Sequence, residues 1–169
     1  FSVSDNYDNH YYYLGINRFN TRGISAMNDE KLTNDDDSYK SDNLFANYFY
    51  EFSENNTLKG SLRYSNSFLN YDEVTSGRTD ANNSTKDDEI SYNLIFMSKR
   101  DKLNNTFSYN YTGIERATKT FNNTLKNYYG YRNSINYLGE YNTNLDTKLI
   151  FGLENEFDEA KFQKDWPTD

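Results

Sequence analysis

From Asn43 to Ser53 every second residue is apolar or small, so that Leu44, Ala46, Tyr48, Tyr50 and Phe52 share one face of an extended chain. The period recurs from Thr57 to Tyr71. There Leu58, Gly60, Leu62, Tyr64 and Phe68 fall on one face, and Lys59, Ser61, Arg63, Ser65 and Ser67 on the other. Four later runs repeat it: Ile90, Tyr92, Leu94 and Phe96; Phe107, Tyr109 and Tyr111; Tyr129, Tyr131, Ile135, Tyr137 and Tyr141; and Leu145, Leu149, Phe151, Leu153 and Phe157. An earlier run covers His10 to Phe19, and Phe1 to Ser4 reads as the end of one more. The pattern thus predicts seven or eight strands, each of the roughly 9 to 11 residues that a tilted strand needs to cross a bilayer.

The connections sharpen this reading. Ser53 to Asn56, Lys99 to Lys102 and Asn142 to Asn144 are tight polar turns, whereas Asn20 to Tyr39, Asp72 to Glu89 and Arg116 to Asn127 are long. Short and long connections alternate, as in outer-membrane barrels, where turns at the inner side are short and outer loops long. The expected fold is all-β: an antiparallel up-and-down transmembrane β-barrel segment of about 7 to 8 strands from a larger barrel. A soluble sandwich or solenoid with loops of arbitrary length is the competing architecture. Against it stand polar faces rich in Ser, Asn, Thr, Lys and Arg, which suit a wet lumen, and tyrosines that recur at strand ends, where a membrane girdle would sit.

Composition agrees with two-faced strands. Only 35% of the 169 residues are apolar, too few for an ordinary soluble core, yet 18% are aromatic, too many for a disordered chain. No run approaches the roughly 18 apolar residues of a spanning helix. A net charge of -8 without a Lys/Arg cluster argues against nucleic acid as a partner, because phosphates need cations. The chain has no Cys and begins at Phe1 rather than an initiator Met, and is expected to be part of a longer protein.

Catalytic chemistry finds little foothold. His10 is the only histidine, and no spacing singles out a serine nucleophile for it, so the protein is not expected to be an enzyme. The acids are better organised. Asp29, Glu30, Asp35, Asp36 and Asp37 fall in the first long loop, and Asp72, Glu73, Asp80, Asp87, Asp88 and Glu89 in the second, so that nearly all of the net charge lies there. Dense carboxylates are hard ligands suited to Ca²⁺, and they equally suit an acidic, solvated loop surface.

Several of these features occur together in a known family. A strand ending near Arg18 to Gly23, the loop Asn34-Asp35-Asp36-Asp37-Ser38-Tyr39, the hairpin from Asn43 to Tyr71, and Asn70-Tyr71-Asp72 with an Asp further on resemble the TonB-dependent outer-membrane receptors, and within them the branch that takes up cobalamin (vitamin B12). The resemblance runs from about His10 to Trp166. It implies a bacterial outer-membrane receptor that imports cobalamin or an iron chelate, with energy from the inner-membrane TonB complex acting through a plug domain. Residues 1–169 would be an early part of the 22-stranded barrel domain, with the plug and remaining strands outside it. A structural or adhesive barrel without a transport cycle is the alternative. The isolated piece would leave two open edges, which lipid cannot satisfy.

The resemblance also implies structural Ca²⁺ in the outer loops, held by Asp35, Asp37, Tyr71 through an oxygen, Asp72, and Asp80 or Asp87, of which Asp80 is chosen. Ser25 stands where the family would supply another acid. Tyr39, Phe68, Tyr71 and Phe121 are candidate substrate-facing aromatics. From the alternation, Tyr48, Leu62, Leu94 and Phe151 should face lipid, and Lys59, Arg63, Asn93 and Lys148 the lumen or plug.

Overall fold

The computed structural model describes residues 1–23, 37–72, 83–120, 125–143 and 147–165. They form eight strands: β1 (Ser2–Tyr7), β2 (His10–Thr21), β3 (Tyr39–Ser53), β4 (Asn56–Tyr71), β5 (Asn83–Arg100), β6 (Leu103–Lys119), β7 (Leu125–Asn142) and β8 (Lys148–Asp165). Each pairs antiparallel with its sequence neighbours in one sheet, in the order β1 to β8, and β1 and β8 do not meet. The expected all-β, up-and-down architecture is present as an open sheet. β1, expected to end near Ser4, runs on to Tyr7 and turns through Asp8, whose φ of 49° is left-handed. Asp101 does the same between β5 and β6 with φ 46°, and aspartate is among the few residues that tolerate this region.

Two expectations need correction. Strands β3 to β8 have 15 to 18 residues, well beyond the 9 to 11 predicted. The second and third long connections shrink accordingly, since β5 starts at Asn83 and only 120–124 separate β6 from β7. Asp87, Asp88 and Glu89 therefore lie in a strand. The reason is non-local: Asp87 is paired across the ladder with Arg116, and Thr85 with Thr118, so charged segments that look like loop are held in register by their partners.

Cross-strand partners share a face, so the register sorts the side chains. Tyr12, Tyr48, Gly60, Leu94, Tyr109 and Ile135 form one transverse row; Leu14, Ala46, Leu62, Tyr92 and Tyr111 form the next on that face. Phe151, opposite Gly139, belongs to the same face. The other face carries Lys59, Arg63, Asn93 and Lys148, so the division of these eight residues between two faces is as the alternation predicts. On the polar face Asn93 donates to Asn110 at 2.5 Å, and Asn110 to Ser134 at 2.9 Å, linking β5, β6 and β7.

The sheet is a single layer. Asn83, 1% exposed, is the largest fully buried side chain among the described residues, while Ile135 is 61% and Leu153 76% exposed. Here the apolar side chains form a band on the surface. Aromatic contacts cross it: His10 stacks on Tyr50 at 4.2 Å, Phe107 lies 4.8 Å from Tyr137, and Tyr92 stacks on Tyr111 at 4.9 Å. The band lies oblique to the transverse rows. In β2 it extends toward the short turns as far as Tyr12, whose row reaches β8 at Asn155, yet in β8 it begins at Leu149. Strands that cross a level apolar layer at a tilt produce this drift.

Glycine supplies space within the band. A Cβ on Gly139 would strike the Phe151 ring and come within 3.0 Å of the Tyr137 hydroxyl. Gly139→Ala should therefore cost about 1 to 3 kcal/mol by displacing those rings, and Phe151→Leu in the same chain should recover part of it. Denaturant unfolding of the two variants in micelles checks this; equal stability of wild type and Gly139→Ala would refute it.

Candidate functional site

A concavity of about 730 Å³ lies on the polar face at the long-loop end. Its floor is hydroxyl-bearing, through Ser41, Ser65, Ser67 and Thr85 from three adjacent strands, because these residues occupy the polar-face positions of β3, β4 and β5. Phe19, Tyr39, Leu69 and Tyr71 give it an apolar side. Its charged groups are Arg63, Asp87, Glu89 and Arg116. Arg116 donates from Nε and Nη2 to both carboxylate oxygens of Asp87, at 2.6 and 2.8 Å. This fork-to-fork pair joins β5 to β6 at the wall of the cavity.

Of the aromatics singled out in the sequence, Tyr39 and Tyr71 line this cavity. Phe68 does not. Its partners are Lys40 and Lys86, on the opposite face of the sheet, while Tyr39 pairs with Leu69. Phe121 lies outside the described residues. Phe19 and Leu69 were not singled out. The period placed Leu69 on the Ser/Lys face, and a lone apolar residue among polar ones was the available signal.

Of the five expected metal ligands, Asp35 and Asp80 lie outside the described residues. Asp37, Tyr71 and Asp72 are brought to one end of the β3–β4 hairpin. The Asn70 N–H donates to the Ser38 carbonyl at 2.9 Å, and its side-chain amide to the Ser38 hydroxyl at 3.0 Å, so Asp37 and Tyr71 each stand one residue beyond a bonded pair. Asp87, the rejected alternative to Asp80, is occupied by Arg116. Among the described residues, no group of three or more His, Cys, Asp or Glu lies together as a metal site.

Just past the band on the apolar face, charges are also neutralised in pairs. Arg18 grips Asp42 at 2.5 and 2.9 Å, and Asp88 receives Lys86 at 2.9 Å together with the Tyr64 hydroxyl at 3.0 Å. His10, whose Nδ1 is 2.7 Å from the Tyr48 hydroxyl, belongs to the apolar-face aromatic cluster near the short turns. That is a packing position, remote from the cavity.

No protein-family model, curated protein or solved structure matches the chain.

The base of the first long loop rests on Gly23, which has a φ of 70° and packs so closely on the Asp37 carbonyl that a Cβ would overlap it. Gly23→Ala should cost about 1 kcal/mol or more, and should displace Asp37. Amide exchange at Asn70, whose N–H bonds Ser38, should speed up; unchanged exchange there would show that Gly23 does not set the loop base.

Proposed function

We propose that this chain forms wall of an outer-membrane β-barrel, and that the protein is a TonB-dependent receptor importing cobalamin or a metal chelate. The observation that carries the reading is the single-layer sheet, with a continuous apolar band on one face, a polar opposite face, and short turns at one end against the long connections 22–38 and 72–82 at the other, the β6–β7 connection being as short as the β7–β8 turn. In β3 the band runs nine residues, from Leu44 to Phe52. At about 3.3 Å per residue and a tilt of about 45°, that covers roughly 20 Å, close to the roughly 25 Å of an outer-membrane band. Beyond it the strands continue toward the long connections, with paired charges on both faces, as a wall rising out of the lipid would. The unpaired edges of β1 and β8 would be costly in lipid, so closure needs further strands.

The receptor assignment rests on the loop and hairpin motifs. The cavity at the long-loop end, with hydroxyls below and aromatics beside it, would belong to the substrate path. The mechanism is binding followed by transport, coupled to the TonB complex through a plug domain, without covalent chemistry. Ca²⁺ would bind in the outer loops, with Asp37, Tyr71 and Asp72 at the hairpin end acting beside Asp35 and Asp80. The described part offers two carboxylates and a phenol oxygen, which is suitable chemistry for this hard cation.

Membrane placement is tested at neighbouring positions. Spin labels at Leu62 should meet an apolar quencher and those at Ser61 a polar one. Leu62→Arg should cost about 2 to 4 kcal/mol, and Ser61→Arg much less. Equal quenching at the two sites would remove the barrel reading. The receptor assignment is tested by direct binding to the full-length protein, where tight siderophore binding without cobalamin binding would exclude cobalamin. For Ca²⁺, calorimetric titration of Asp37→Asn with Asp72→Asn should show affinity lowered about tenfold or more, since charged ligands set affinity; unchanged affinity would eliminate these ligands.

A further inference from the structure

Across the polar face of β2 to β6, three successive transverse rows lie between the row of Glu51 and the row of Glu89. They hold Tyr11, Phe49, Lys59, Ile95 and Ser108; Tyr13, Asn47, Ser61, Asn93 and Asn110; and Gly15, Phe45, Arg63, Ser91 and Thr112. Arg63 and Lys59 are the charged side chains there. The Arg63 guanidinium lies over the Phe45 ring at 5.6 Å, and the Lys59 ammonium over Phe49 at 5.5 Å. Neither forms an ion pair among the described residues, whereas Arg18, Arg116 and Arg132 each grip a carboxylate. Both cations are exposed.

Their positions connect three hollows. Arg63 lines both the 730 Å³ cavity and a smaller one of about 250 Å³ that it shares with Ser61, Ser91, Asn93 and Asn110. Lys59 lines a third, of about 480 Å³, toward the short turns, again with Asn47, Ser61 and Asn93. Four residues of strand separate the two cations, about 13 Å at 3.3 Å per residue. Asp87 is held by Arg116, and Glu89 stands one row beyond Arg63 toward the long connections, opposite Ser65; from Arg63 toward Lys59 the wall carries positive charge without an acid. Ring faces hold each cation in place without neutralising it, and the neighbouring hydroxyls and amides can donate to an oxyanion.

We infer that Arg63 and Lys59 are two successive stations for an anionic group, phosphate or carboxylate, of a ligand moving along this wall. The inference rests on the polar face being a barrel lumen, and it gives the imported molecule a chemical class: one that carries acidic groups. Arg63 receives the group at the cavity, and Lys59 takes it further toward the short-turn end.

Inorganic phosphate and citrate, titrated calorimetrically into the full-length protein in micelles, test this. Saturable binding is expected, with a rise in melting temperature relative to sodium chloride at equal ionic strength, a comparison that needs no variant. Arg63→Gln should weaken binding about tenfold, the loss of one charge-assisted contact. Lys59→Gln should also weaken it, Arg63→Lys should retain most of it, and Arg132→Gln, which removes a cation already paired with Asp158, should leave it unchanged. Absence of saturable binding, or equal binding by Arg63→Gln, would overturn the inference. So would binding that emerges only once polypeptide filling the barrel is removed, since the cations would then serve acidic residues of that segment. Spin-label quenching at Leu62 and Ser61 separates the two levels: a difference there without phosphate binding removes the anion stations alone, whereas equal quenching removes the lumen and the stations together.

Discussion

A single-layer sheet with one apolar face has to find apolar surroundings for that face, and the other features of this chain follow from how the face is made. In a soluble sandwich two such faces cover each other and produce a buried core. Here the apolar residues remain on the surface as a continuous band, and Ser41, Asn83, Ser98 and Ser134 are the polar residues that become buried among those described. Cohesion within the sheet comes from the backbone ladder and from cross-strand pairs such as Phe107 with Tyr137 and Asn93 with Asn110. A lipid surrounding would supply the hydrophobic term that the sheet cannot supply to itself.

The limits of the band determine where charge can be placed. Within it, the apolar face of β3 to β6 carries no ionisable group other than tyrosine, and immediately beyond it come Asp42, Asp88 and Glu115. Asp42 is matched across the ladder by Arg18, and Asp88, which stands opposite Glu115, is matched along its own strand by Lys86; on the other face Arg116 pairs with Asp87. Exposed pairs of this kind contribute little stability singly. Their larger effect is on register, because a slip would part Arg18 from Asp42 and Arg116 from Asp87. They allow the strands to continue as ordered ladder well past the apolar layer, and so place the cavity of Phe19, Tyr39 and Tyr71 on a firm wall.

Period-two alternation is a local property, which is why the faces of Leu62 and Ser61, the short turns and the up-and-down order were legible in the sequence. Strand length was not. Whether Asp87 belongs to a loop or a strand depends on Arg116, 29 residues away, and no window along the chain contains that relation. Phe68 shows a different failure. Its alternation with Leu62 and Tyr64 already placed it on the apolar face, but its aromatic character suggested a ligand contact beside Tyr39; the register separates the two by the thickness of the sheet. Of the acidic site, the hairpin end gathers Asp37, Tyr71 and Asp72, while Asp35 and Asp80 lie outside the described residues.

The same register that presents the band to one side fixes the chemistry of the other. Because Leu62 lies between Ser61 and Arg63, holding Leu62 in the apolar face obliges Arg63 to stand on the polar face, directly opposite Phe45. A one-residue slip would carry the guanidinium into the band and expose Leu62 among the amides, so the cost of moving a charge into an apolar layer protects the position of Arg63. That it has no carboxylate partner among the described residues has a related origin. The neighbouring polar-face positions at this level are filled by Asn47, Ser61, Ser91 and Asn93, which can hydrogen-bond an incoming anion but cannot neutralise the cation beforehand. An ion pair such as that of Arg132 with Asp158 would have to be broken before a ligand could use the charge. Stacking on a ring restricts the side chain and leaves the charge available, so the arrangement at Phe45 and Phe49 favours recognition over local stability.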